Sequence, residues 1–216
     1  MAAKATGPAS EARTRARNEA KILKAATEVF ARKGFDGARM SDIAALSGLP
    51  RPNVHYYFRT KQDVYRRLIG GVIGDWDKAL ENIAADREPA DALAAYVRAK
   101  FEHERRHAAE ARLFANEILH GARFLSPATR RHVRDVTSRH ASIIETWMAE
   151  GRMVRLDARN LLIMIWAMTE FYSFFEPVIC DALGRRRLGK ADYERAADFL
   201  VAFVLRGCIA RPDRRR

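Results

Sequence analysis

Residues 35–65 read FDGARMSDIAALSGLPRPNVHYYFRTKQDVY. Two short helical segments lie on either side of a glycine-bearing turn. The first runs from about Ser41 to Ser47 and is expected to carry Ile43, Ala44 and Leu46 inward. Ala44 is small, as the close crossing of two short helices requires. Gly48-Leu49-Pro50 breaks the chain, and the second segment runs from about Arg51 to Phe58. This is the pattern of a helix-turn-helix. The second helix of such a pair enters the major groove, so its first residues must be polar and basic. Arg51 and Asn53 meet that need, since arginine reads guanine and asparagine reads adenine through paired hydrogen bonds. His55, Tyr56, Tyr57 and Lys61 are candidate phosphate donors beside it. Arg39, Ser41 and Pro52 complete the face expected to meet DNA. Thr60 is a helix cap, with Asp63 completing a weak capping box, and Lys61 stands at that helix N-terminus, where the dipole attracts anions.

Upstream of this stretch, Ile22, Leu23, Ala26, Val29 and Phe30 recur at helical spacing from about Asn18, and Gly34 ends that helix. Residues 1–17, rich in Ala, Arg and small polar residues, predict a flexible basic arm. Downstream the pattern is helical almost throughout. Helices are expected over Thr60–Ala85, Pro89–His107, Ala109–Leu119, Pro127–Glu150, Asp157–Glu176 and Lys190–Ile209. Pro89 and Pro127 sit at helix starts, and Gly121, Gly151 and Gly184 at stops. No segment alternates with a period of two, and no internal repeat is present. The fold class is therefore all-α: a helix-turn-helix domain over residues 18–64, a helical ligand-binding and dimerisation domain over 65–210, and a basic tail over 211–216.

The formal net charge is +12 over 216 residues. Residues 1–67 carry 14 Lys and Arg against 6 Asp and Glu, whereas residues 68–205 carry 20 of each sign. The excess belongs to the two ends. Basic charge concentrated beside a helix-turn-helix is the electrostatic footprint of a polyanion partner. Two cysteines, Cys180 and Cys208, form neither a disulfide framework nor a metal cluster and favour a reducing compartment. The N-terminus lacks the apolar core of a signal peptide. The longest apolar run, Leu161–Phe175, contains Thr169 and Glu170 and is short for a bilayer span. A cytoplasmic protein with no membrane contact is expected.

These residues resemble the N-terminal signature of the TetR family of regulators. Gly34-Phe35 matches its glycine-aromatic pair, Asp42-Ile43-Ala44 its helix 2, and Gly48 its turn. The aromatic cluster ending in Phe58 and the helix-opening Lys61 follow in order. Arg39 stands where the family often has a threonine cap, Pro50 where it often has serine or threonine, and His55 where it often has tyrosine. The resemblance implies a homodimer joined through the last two long helices, bound to palindromic double-stranded operator DNA and released by a small-molecule effector.

The C-terminal half is similar to the pyrimidine-utilisation regulators of the RutR type. Ala111-Arg112-Leu113-Phe114, Glu117-Ile118-Leu119, Met164-Ile165-Trp166-Ala167 and Trp76 carry that resemblance. It implies an effector pocket walled by Trp76 and Trp166, with Glu170 where the subgroup has glutamine. The residues point to the same region: Trp166 and Glu170 are four apart on one helix face beside Thr169 and Ser173. An acid in so apolar a run is costly unless paired or protonated. Arg112, Phe114 and Glu117 on an earlier helix are further candidates. The expected effector is small, planar and able to engage a carboxylic side chain, and no cofactor is expected. Glu170 has one alternative role, an ion pair with an arginine of a dimer partner.

His103-Glu104-Arg105-Arg106-His107 is a literal HExxH, the pattern of zinc peptidases. Arg105 and Arg106 would set two cations beside the metal, and the surrounding EHERRHAAEAR reads as a solvated face. No enzyme, no catalytic residue and no metal ligand are expected. A zinc-dependent hydrolase and a non-specific architectural DNA binder using the basic ends stand as the alternatives.

Overall fold

The computed structural model describes residues 8–210. Among them are ten helices and no strand: α1 (Pro8–Gly37), α2 (Met40–Ser47), α3 (Arg51–Tyr57), α4 (Lys61–Leu80), α5 (Pro89–Arg106), α6 (Ala108–Leu119), α7 (Pro127–Ala149), α8 (Ala158–Phe174), α9 (Glu176–Leu183) and α10 (Lys190–Cys208). The basic tail 211–216 and the first seven residues of the arm lie outside the described residues.

Local chemistry sets most helix ends. Gly34 breaks α1 with φ 66° and ψ 176°, a conformation open to glycine at little cost. Gly48 closes α2 in the left-handed region. At α4, the Asp63 amide donates to Thr60 Oγ1 at 3.2 Å and the Thr60 amide donates back to Asp63 Oδ2 at 3.0 Å, completing the expected box. Ser126 and Asp157 cap α7 and α8 by accepting the Thr129 and Asn160 amides.

Four elements depart from expectation. Residues 8–17 are helical, continuing α1. Arg15 holds its guanidinium 5.7 Å from the Tyr56 ring centre and 5.9 Å from that of Tyr57. Helix α4 stops at Leu80 and not near Ala85, and in the turn that follows the Ala85 carbonyl accepts the Trp147 indole N–H at 3.4 Å. Helix α9 was hidden by its shortness, although Pro177 at its start and Gly184 at its end mark it. Leu46, expected inward, is 45% exposed, and the buried residues of α2 are Ile43 and Ala44.

Two apolar cores result. The first gathers Ile22, Ala26 and Phe30 of α1, Ile43 of α2, Val54 of α3 and Val64 and Leu68 of α4. It continues along α4 to Ile73 and takes in Leu113 and Phe114 of α6 and Phe124. Helix α4 therefore runs unbroken from the DNA-binding helices into the body of the protein. The second core is built on α5, which packs on α10 and on α8, with α7 closing over α8. The Val154 amide donates to the Cys208 carbonyl at 2.9 Å and ties the α7–α8 loop to the end of α10. Cys180 and Cys208 are buried and free, and burial pushes both thiols up, which keeps them in the unreactive form. No single described helix is long and apolar enough to cross a membrane; α8 and α9 reach that length only when joined across an 83° bend.

Trp147 is the largest fully buried side chain. Trp147→Ala is expected to cost about 3–5 kcal/mol through the cavity it leaves. Urea unfolding measures this directly.

Candidate DNA-binding face and effector site

Helix α3 turns Val54 and Phe58 into the first core and leaves Arg51, Pro52, Asn53 and Tyr56 exposed. Its first turn has no side-chain cap: Pro50 holds the N-cap position where a hydroxyl would accept a bond. Tyr56 is 72% exposed. Tyr57 is half-buried, and its hydroxyl accepts from Asn18 Nδ2 at 3.2 Å. His55 Nδ1 lies 3.3 Å from the Arg59 carbonyl oxygen. Ser41 and Arg39 are exposed at the start of α2. The Arg39 side chain makes no cap bond, but its amide donates to Asp42 Oδ2 at 3.1 Å. Lys33 reaches the same carboxylate at 2.9 Å and holds Asp42 below the usual carboxylate range. Asp42 thus pins α2 to α1.

Lys61 has a different task from the expected phosphate contact. Its ammonium donates to the carbonyls of Phe35, Asp36 and Ala38 at 2.8, 3.0 and 3.1 Å, and sits 4.6 Å over the Phe35 ring. All three of its donors are taken. A cation over the unsatisfied carbonyls that follow Gly34 is electrostatically favoured, and it fastens α4 to the end of α1.

Deeper in the body, Lys100 of α5 is 1% exposed. Its ammonium donates to Glu170 Oε1 at 2.8 Å, lies 3.6 Å from Glu104 Oε1 and sits 4.8 Å over the Trp76 ring. Glu104 is 0% exposed and accepts from the Ser173 hydroxyl. Burial pushes its carboxyl up, opposed by the Lys100 charge. Trp76 meets Phe114 edge to face at 4.7 Å. The Trp166 indole donates to the Tyr96 hydroxyl. Two buried polar atoms facing this cluster have no hydrogen-bond partner among the described residues: the donor Trp76 Nε1 and the acceptor Glu104 Oε1.

A model of the bacterial regulatory proteins of the tetR family matches residues 22–68, and a model of the YcdC-like C-terminal region matches residues 69–211. The chain belongs to the TetR family. It is 29% identical to the HTH-type transcriptional regulator RutR of Escherichia coli K12 over 206 residues, 95% of this chain and 96% of that protein. It is 24% identical to the HTH-type transcriptional repressor NicS of Pseudomonas putida, over 93% of this chain and 94% of that one. A TetR-family regulatory protein from Rhodococcus RHA1 has the same fold, with a TM-score of 0.67 at 24% identity, covering 88% of this chain and 97% of that one. This TetR-family chain is a ligand-responsive transcriptional regulator and not an enzyme.

The candidate effector residues divide in this regulator. Trp76 and Glu170 meet Lys100 directly, while Phe114 meets Trp76, Ser173 meets Glu104 and Trp166 meets Tyr96, one turn from Lys100. Thr169 is fully buried, but its hydroxyl is spent on the Ile165 and Trp166 carbonyls at 2.9 and 3.0 Å. Arg112 lies at the edge, donating to the Ser173 carbonyl and to Glu176 Oε2, both at 3.3 Å. Glu117 points elsewhere: it accepts the Phe124 amide at 2.5 Å and bonds the Tyr65 hydroxyl, whose ionisation burial holds well above its ordinary value. Helix α6 turns Phe114 and Glu117 to different neighbours although they lie three apart. Within the chain, the Glu170 carboxylate pairs with Lys100. Lys100, Glu104 and Tyr96 escaped the sequence reading. The signal was there: a lysine on the apolar stripe Tyr96-Val97-Lys100-Phe101 has to meet an acid. The EHERRHAAEAR segment is not wholly a solvated face either, because Glu104 answers Lys100 inside.

Lys100→Met would leave Glu104 and Glu170 together without their cation, at an expected cost of about 3–5 kcal/mol. A carboxyl pushed up by burial binds its proton more tightly folded than unfolded, so the variant gains stability as pH falls and loses it as pH rises. Chemical denaturation of both proteins across the carboxylate range checks the sign.

Proposed function

We propose that this chain is a cytoplasmic repressor that binds a palindromic operator as a homodimer and leaves it when a small planar effector occupies the site around Lys100. The outward face of α3 carries the proposal: Arg51 and Asn53 are exposed on a helix anchored in the first core by Val54 and Phe58. Arg39, Ser41, Pro52, His55, Tyr56 and Tyr57 flank them as the DNA-facing set. Two such helices must sit about 34–36 Å apart to enter successive major grooves.

The dimer partner is assigned to α8 and α10. Phe199 and Phe203 are 73% and 60% exposed. With Leu161, Met164 and Met168 they line an apolar groove of about 1120 Å3. A second copy of the same face covers it, giving a four-helix interface. Phe199→Glu with Phe203→Glu is expected to yield a monomer in sedimentation, with unchanged helix content.

The effector chemistry follows from the two unpartnered atoms. An indole donor and a carboxylate acceptor beside an aromatic face suit a flat ring that carries both a carbonyl and an N–H. A pyrimidine base meets that description, and the likeness to the pyrimidine-utilisation regulators points the same way. Glu170 replaces their glutamine, so this site offers an acceptor pair where an amide also donates. Release from DNA then requires that the effector bind better to a dimer with the wrong helix spacing.

Gel shifts against the DNA upstream of its own gene, with uracil and thymine added, test the whole reading. Wild-type protein is expected to shift that DNA selectively and release it with one of the bases. Arg51→Ala should lose about tenfold or more in affinity, as one bidentate contact is worth about 1–3 kcal/mol. Glu170→Gln should alter base preference in calorimetry and keep DNA binding. Equal binding to any DNA would instead mark an architectural protein.

A further inference from the structure

Asp75 of α4 and His103 and His107 of α5 bring one ligand atom each to within 4.8 Å of one another. The two imidazoles stack, with ring centres 4.9 Å apart and planes at 23°. His103 Nε2 is buried and has no hydrogen-bond partner among the described residues. We propose that these three side chains form a binding site for a divalent transition ion of the Zn2+ type, which clamps α4 to α5.

The donor set fits that ion. Two imidazoles and one carboxylate are borderline ligands, and zinc takes such a trio with water in its fourth position. Zinc–ligand bonds of about 2.0–2.2 Å put tetrahedral ligand atoms about 3.3 Å apart. Closing the present spacing to that value is within the reach of side-chain rotation. One cation competes: Lys78 Nζ lies 2.6 Å from Asp75 Oδ1. Its side chain is 72% exposed, so it swings into water at little cost.

The same geometry separates this site from a zinc hydrolase. The acid that would activate water, Glu104, is turned into the interior onto Ser173 and Lys100. The ion would be structural. It would also be regulatory by position: Asp75 adjoins Trp76, and His103 lies one turn from Lys100. Fixing α4 to α5 there fixes the wall of the proposed effector site and the helix that leads back to α3. The metal site itself rests on none of the effector assignments, and it can be present or absent whatever the effector is.

Titration of the full, tag-free protein with Co2+, followed by its visible ligand-field absorption, tests the site, with Zn2+ displacement measured by calorimetry. One ion per chain is expected. His103→Ala should weaken Zn2+ binding by about tenfold or more, and Asp75→Asn should do likewise. Circular dichroism checks that each variant is folded, and His107→Gln, at the end of α5, reads the same contact should His103→Ala unfold. His120→Ala, on the exposed end of α6, should bind as wild type. No ligand-field band, or affinity unchanged in both His103→Ala and His107→Gln, would overturn the proposal. So would binding that survives those changes and falls with His132→Ala, which would place the ion on the surface beside Asp77.

Discussion

One ammonium, Lys100 Nζ, stands where α4, α5 and α8 meet, and the polar interior is arranged around it. Moving a charge of that kind out of water costs several kcal/mol unless opposite charge and hydrogen bonds surround it. Glu170 from α8 supplies the direct bond, Glu104 from one turn along α5 supplies a second charge, and Trp76 from α4 supplies a ring face. Each partner comes from a different helix or a different turn. Satisfying the lysine therefore fixes the three helices relative to one another. The arrangement has two carboxylates for one ammonium, and Glu104 Oε1 and the Trp76 indole N–H have no hydrogen-bond partner among the described residues.

Helix α4 carries that arrangement to the DNA-binding helices. At its first turn the Lys61 ammonium is fastened to three carbonyls past the end of α1. At its second turn Tyr65 bonds Glu117 of α6, and Glu117 in turn holds the amide of Phe124. Near its end Trp76 covers Lys100. Its apolar face is buried at Val64, Leu68, Val72 and Ile73. A rod gripped at each of these points is held along its length by close-packed side chains, which have few alternative arrangements. Lys61, whose charge looked ready for a phosphate, serves the rod instead.

The helix-turn-helix was legible in the sequence because its constraints are local. Gly48 had to take a left-handed conformation, Thr60 and Asp63 had to cap α4, and Ile43, Val54 and Phe58 had to face one way. Interactions spanning a few residues are written in spacing and residue type. The boundaries of α5, α6, α7 and α10 were legible for the same reason, through Pro89, Pro127 and the turn glycines. The end of α4 at Leu80 was not, since no glycine or proline marks it.

Around Lys100 the division is sharper. The sequence by itself determined an all-α chain, a basic reading head, and an acid at Glu170 too costly to stand alone in its apolar helix. It also placed Trp166, Glu170 and Ser173 on neighbouring faces of α8. Only the tertiary structure decided that the partner of Glu170 is Lys100, that Glu117 serves Tyr65 and Phe124, and that His103 and His107 turn toward Asp75. Those pairings join residues up to 70 apart in the chain. Residue spacing says which face of a helix a side chain occupies. The crossing of α4, α5, α6 and α8 sets which other face it meets, and many weak apolar contacts settle that crossing together.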